Sequence, residues 1–200
     1  MKALNIGSNI HLIERFINCD IDTSLNQNIV YLNAEEHFDY PDNHFDYIYS
    51  CHLVEHLSYE GFKNYLSETY RCLKPSGIHR ICFPSLNQIK KMINNPEEYN
   101  TYFVNILSHF GKNILEDFDL DNYMPYDTCI NQLYKNFGHQ NIYSEETFIK
   151  LCEKYGFKDI KLLDINISDY EIFNNIEKDA NRYDFENFKI YESSVVECTK

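Results

Sequence analysis

A chain of 200 residues with 44% hydrophobic and 16% aromatic residues has the material for one domain with a substantial core, and no second domain is required. Its formal net charge of −13 disfavours nucleic acid, because polyanion binders draw most of their affinity from Lys and Arg on phosphates. Seven cysteines without a CxxC pair read as reduced thiols, no apolar run approaches the roughly 18 to 20 residues of a membrane span, and no signal-type segment precedes Ala3, so the expectation is a cytoplasmic chain.

In chain order, residues 3–7 (ALNIG) read as a first strand with Gly7 as the tight turn after it. Residues 16–20 (FINCD) and 28–32 (NIVYL) read as the second and third strands. Residues 45–50 are aromatic and β-branched and form a fourth strand, and polarity rises at Cys51 and His52 where it should end. Ser58 can then cap a helix whose apolar face is Phe62, Tyr65, Leu66, Thr69, Tyr70 and Leu73. Pro75 and Gly77 stop it, and residues 78–83 resume as a fifth strand. Two strands joined by a helix should be parallel neighbours with a right-handed crossover.

Helical stretches around residues 88–93 and 99–110 follow, then an acidic run at residues 116–121 ahead of Tyr123, Met124 and Pro125. An insertion after the fifth strand of a doubly wound sheet lies over the crevice at the carboxyl ends of the strands, so residues 87–138 are expected to form a lid. Its aromatic residues could stack on an acceptor, although any one of them is more readily explained as packing of the lid. Ser144 caps a further helix with Glu145 and Glu146 in its first turn and a stripe of Phe148, Leu151, Cys152 and Tyr155. Gly156 ends it, and residues 158–163 and 193–199 supply the last two strands.

The segments FDYIYSCHLVEHL, LSETYRCLKPSGIHRICFP and INQLYKNFGHQNIYSEETFIKLCEKYGFKDIKLL resemble the class I S-adenosylmethionine-dependent methyltransferases, in particular the methyltransferase type 11 branch. The resemblance implies one Rossmann-like domain over residues 1–200, with a mostly parallel seven-stranded sheet, helices on both faces and an antiparallel last strand. Ser76 stands where the family usually has Gly and is expected to keep a negative φ.

The resemblance also implies a cofactor, S-adenosyl-L-methionine, and places its site. Gly7, Ser8 and Asn9 occupy the first turn, which is poorer in glycine than the family's, and Asn9 can take a left-handed φ in place of a glycine. Asp20, followed by Ile21, ends the second strand, where a carboxylate accepts hydrogen bonds from ribose hydroxyls. Asn33 and Ala34 stand beside the adenine position, and Cys51 and His52 face the sulfonium or the acceptor. Asp22 fits a strand-end turn, and Asp46 a brace at the entry to the fourth strand.

His139, in the family's Gly-His position, is the first candidate for a base acting on an acceptor hydroxyl, and His56 the second. His52 to His56 also satisfies H-x-x-E-H, a zinc-hydrolase pattern, but that reading leaves the flanking strands and the Lys-Pro-x-Gly turn unexplained, and no metal is assigned. The expected activity is methyl transfer to a small molecule, a sugar or glycan precursor being favoured by the branch's association with glycan pathways. The alternative is a methyltransferase-like module that binds or scaffolds without catalysis.

Overall fold

Strands β1 (Ala3–Ile6), β2 (Phe16–Asp20), β3 (Val30–Tyr31), β4 (Phe45–Cys51), β5 (Leu73–Pro84), β6 (Lys158–Leu163) and β7 (Ser193–Thr199) join in one sheet of order β3-β2-β1-β4-β5-β7-β6. The computed structural model describes residues 1–110, 125–135, 138–179 and 191–200. The first five strands pair in parallel, whereas β7 runs antiparallel to both β5 and β6. This is the expected class I sheet, except that β3 is a two-residue edge pairing instead of the whole of residues 28–32.

Helix α1 (Tyr59–Cys72) starts where Ser58 Oγ accepts the Gly61 N–H at 3.0 Å, and it buries Phe62, Tyr65, Leu66, Thr69 and Cys72. Ser144 caps a later helix, Glu145–Lys154, in the same way through the Thr147 N–H at 3.2 Å. Both helices pack on one sheet face against Leu4, Ile6, Ile48, Ile81 and Val196, and Phe83 stacks on Phe148 with centroids 4.0 Å apart. The end of α1 differs from expectation: it stops at Cys72, ahead of Pro75, and enters β5 at once. Phe45 pairs with Leu73 and Tyr47 with Ile78, so residues 74–77 bulge out of the ladder. Within that bulge Ser76 has φ 64°, not the negative φ expected of it, so a serine carries the left-handed conformation that the family's Gly adopts without strain.

The helices are unevenly shared between the two faces. Among the described residues, the crossovers from β1 to β2, β2 to β3 and β3 to β4 contain no α-helix, although parallel strands are ordinarily joined by one. The exposed face of β1, β2 and β4 is covered from the far end of the chain. Phe173 and Ile176, in the 3₁₀ turns Glu171–Phe173 and Ile176–Asp179, pack on Ala3, Phe16, Tyr49 and Ile78. Arg80 on β5 fastens this cover: its Nε donates to Glu177 Oε1 at 2.8 Å and its Nη1 to Glu197 Oε1 at 2.6 Å and to the Ile167 carbonyl at 2.9 Å. Asp46 accepts the Lys2 N–H at 2.6 Å and Lys74 Nζ at 2.7 Å, the bracing role expected of it.

Beyond β5 come α2 (Leu86–Asn94), α3 (Asn100–Phe110) and α4 (Tyr126–Lys135), with Glu145–Lys154 as α5. The first three share a satellite core of Ile89, Met92, Tyr102, Phe103, Leu107 and Leu133. Tyr102 and Phe103 are thus packing residues of this helical insertion, and Tyr102 Oη donates to Glu192 Oε2 at 2.6 Å just before β7. Residues 116–121, Tyr123 and Met124 of the expected lid lie outside the described residues.

Candidate active site

The carboxyl ends of β1, β2, β4 and β5, parallel neighbours, lie along one edge of the sheet, and the sequence places a turn or a polar side chain at each. Gly7 leaves β1 with φ 70°, and a Cβ on it would stand 2.9 Å from Leu53 Cδ1. Asn9 takes φ 48°, the left-handed conformation expected of it. In place of a helix, the loop from Ser8 to Arg15 is held by the Asn18 side chain and one backbone bond: Asn18 Oδ1 accepts from Asn5 Nδ2 at 2.9 Å and from the Ile13 N–H at 2.9 Å, and the Ser8 N–H donates to the Cys19 carbonyl at 2.9 Å.

Asp20 closes this arrangement. Its Oδ2 accepts the Asn9 N–H at 2.8 Å and its Oδ1 the Asp22 N–H at 3.1 Å, which leaves each oxygen with a lone pair for a ligand hydroxyl. Asp22 accepts the Ser24 N–H at 2.9 Å, as a turn residue does. Ile21 is exposed and Ser8 is buried. At the end of β3, Ala34 is buried in the main core, and Asn33 is engaged locally: Oδ1 accepts the Glu35 N–H and Nδ2 donates to Glu36 Oε1, both at 3.0 Å. The structure therefore gathers Gly7, Asn9 and Asp20, while Asn33 and Ala34 present little free chemistry to an adenine.

After β4 the chain makes one turn at His52, φ 51°, and a 3₁₀ turn at Val54–His56. His52 Nε2 lies 2.8 Å from Ser193 Oγ on β7, and Nδ1 lies 3.3 Å from Glu55 Oε1 and 3.8 Å from Glu192 Oε1. Burial by itself would lower the His52 pKa, but the Glu55 carboxylate outweighs it and holds the ring up at about 9. Glu55 is 1% exposed; burial works to raise its pKa, and the histidines beside it, His52 foremost, bring it below the ordinary carboxylate value. Neither Ser193 nor Glu192 carries a local sequence signal, since each reaches His52 only through the β5–β7 pairing.

The two candidate bases meet here although they are far apart in the chain. The Gln140 and Asn141 N–H groups donate to the Glu55 carbonyl at 2.7 and 3.2 Å. Gln140 Nε2 bonds the His56 carbonyl at 2.7 Å and Asn141 Nδ2 the Leu57 carbonyl at 2.9 Å. This clamp sets the His139 and His56 rings edge to face with centroids 4.9 Å apart, beside the Glu55 carboxylate. Burial lowers the His139 pKa, with Glu55 opposing and the neighbouring histidines adding to the effect.

A family model described as a methyltransferase domain matches residues 5–162. The chain belongs to that methyltransferase family. Among solved structures it is similar to a SAM-dependent methyltransferase from Archaeoglobus fulgidus, with 20% identity, TM-score 0.60, and coverage of 100% of this chain and 86% of that one. It is also similar to an S-adenosylmethionine-dependent methyltransferase from Mesorhizobium loti, with 12% identity, TM-score 0.55, and coverage of 100% and 90%. A phosphoethanolamine N-methyltransferase 2 from Haemonchus contortus, solved with S-adenosylhomocysteine, matches with 12% identity and TM-score 0.50; this chain is covered fully and that one by 48%. No match was found among curated proteins. These likenesses establish the class I methyltransferase fold.

The methyltransferase reading thus replaces the zinc-hydrolase one, which the geometry does not support either. His52 sits in a left-handed turn and bonds to Ser193, so it does not stand one helical turn from His56 on a shared face. None of the seven cysteines is in a disulfide, and among the described residues no helix is long and apolar enough to cross a membrane.

Proposed function

We propose that this methyltransferase moves the methyl group of S-adenosyl-L-methionine to a hydroxyl of a small molecule, of the sugar or glycan-precursor class, in the cytoplasm. The observation that carries the reading is Asp20: a carboxylate at the end of β2, bonded to the Asn9 N–H of the first turn, with acceptor capacity left for a ribose. The donor is already activated as a sulfonium, so the protein's task is to hold the acceptor oxygen in line with the methyl carbon. Residues 7–9 and Asp20 hold the donor. Glu55, His56 and His139, beyond β4, handle the acceptor and its proton.

A second reading, binding without catalysis, draws on the first crossover, where a short polar loop replaces a helix and a glycine-rich turn. Calorimetry with S-adenosylhomocysteine separates the two. Binding, followed by transfer of labelled methyl to a panel of sugars and glycan precursors, supports the enzyme; no binding at millimolar ligand removes it. Gly7→Val tests the location, since it puts a side chain against Leu53 at a positive φ and should abolish binding with the helical circular dichroism retained.

A further inference from the structure

Glu55 is a carboxylate with a problem. Its side chain is 1% exposed, and neither Oε1 nor Oε2 accepts a hydrogen bond. Buried carboxylates are normally satisfied by donors, because their desolvation is otherwise uncompensated. What surrounds this one is a set of imidazoles. His52 Nδ1 faces Oε1 as an ion pair at 3.3 Å, His56 Nε2 lies 3.9 Å from it, and one carboxylate oxygen and one nitrogen each of His56 and His139 all fall within 4.8 Å of one another. The backbone makes the grouping rigid, because the Gln140 and Asn141 bonds to the Glu55, His56 and Leu57 carbonyls fix both halves.

We infer that Glu55, His56 and His139 form a binding site for a divalent transition-metal cation. One carboxylate and two imidazoles are the donor set of three-ligand zinc sites that keep a fourth position open, and nitrogen-rich sets of this kind favour zinc and its neighbours over magnesium or calcium. The partition differs from the H-x-x-E-H motif, where His52 and His56 would ligate and Glu55 act as base. Here Glu55 ligates, the second histidine comes from the loop before α5, and His52 stands behind Glu55 as its partner, orienting it. His56 is 36% exposed, so the cluster can be reached from solvent.

One consequence rests on the methyltransferase reading. An acceptor hydroxyl on the open position would lose its proton to solvent more readily, replacing direct proton removal by His139. Its oxygen would then form the bond to the methyl carbon as the carbon–sulfur bond breaks and the electron pair leaves on sulfur in S-adenosylhomocysteine. The metal site itself does not depend on that step.

The test is titration of the chelator-treated full chain with zinc chloride near neutral pH, with cobalt(II) absorption as a second readout. Expected is one site per chain of micromolar affinity or better and visible cobalt bands of a four- or five-coordinate ion. Glu55→Gln and His139→Ala should each weaken binding by more than the roughly 10- to 100-fold that loss of an outer partner costs, while His37→Ala, an exposed histidine outside the cluster, should not. Circular dichroism identifies any variant that fails to fold, and the other then decides. Absence of binding in the wild type, or binding that both variants retain, overturns the site. S-adenosylhomocysteine titration of the same samples reads the cofactor site separately, so its failure overturns the methyltransferase reading and leaves the metal result standing.

Discussion

The Asp20 carboxylate accepts the Asn9 N–H at 2.8 Å, so the residue proposed to hold the ribose also holds the turn proposed to hold the methionine moiety. The two ends of the proposed cofactor site are thereby one unit.

Asp20→Ala should therefore weaken S-adenosylhomocysteine by more than about tenfold, since hydrogen bonds to a charged group contribute about 1.5 to 3 kcal/mol each. Asp20→Asn keeps an oxygen for the Asn9 N–H and should lose less. Calorimetry on the two folded variants checks this. Equal affinity in Asp20→Ala and wild type would remove Asp20 from the site.

His139→Ala should leave S-adenosylhomocysteine affinity within a few fold and lower turnover by roughly 10²-fold or more. The clamp survives the substitution because it is made by Gln140 and Asn141 and not by the His139 ring. Loss of cofactor affinity, or undiminished turnover once an acceptor is found, would contradict the placement of His139 on the acceptor side.

Glu177→Ala leaves Arg80, fully buried, with one carboxylate where it had two. Breaking a buried ion pair from one side costs about 3 to 5 kcal/mol, so urea denaturation should show a loss of that order. A change below about 1 kcal/mol would mean that the cover of residues 171–179 does not depend on this bond.

His79 predicts a pH dependence. It is fully buried on β5, bonded through Nε2 to Tyr65 Oη at 2.8 Å, and burial pushes its pKa down to about 3. The unfolded chain takes up this proton near pH 6.5 and the folded chain does not, so the stability is complete above about 6.5 and falls as pH drops towards 3, by about 1.4 kcal/mol per pH unit. His79→Gln, which cannot take up a proton, should show a stability–pH slope shallower by that amount between pH 6 and 4. Parallel slopes in the two proteins would refute it.

The unit from β4 through α1 to β5 was legible because its determinants are local: Ser58 caps, an apolar stripe recurs every turn, and β-branched residues follow. The same holds for Ser144 and α5. The conformation of Ser76 was not legible, since serine does not advertise a positive φ and the bulge arises from the β4–β5 register. In the site, Gly7, Asn9 and Asp20 could be placed because turn chemistry and strand ends are readable in sequence. The joining of Glu55 and His56 to His139 could not, because it depends on hydrogen bonds such as that of Gln140 Nε2 to the His56 carbonyl, across a separation of 84 residues. Asn33 and Ala34 went the other way, their position foreseen but their side chains used by the local turn and the core.

A sheet whose first strands are sealed by Phe173 and Ile176 has an order of events built into it. During synthesis the amino-terminal strands emerge early, yet the side chains that dry their open face arrive more than 120 residues after β4, and Arg80 must wait 97 residues for Glu177. Early strand pairing is therefore provisional, and the nascent chain carries Phe16 and Tyr49 uncovered until Phe173 and Ile176 have emerged. A truncation at residue 162, where the family match ends, would keep the methyltransferase signature but not a protein able to fold around it.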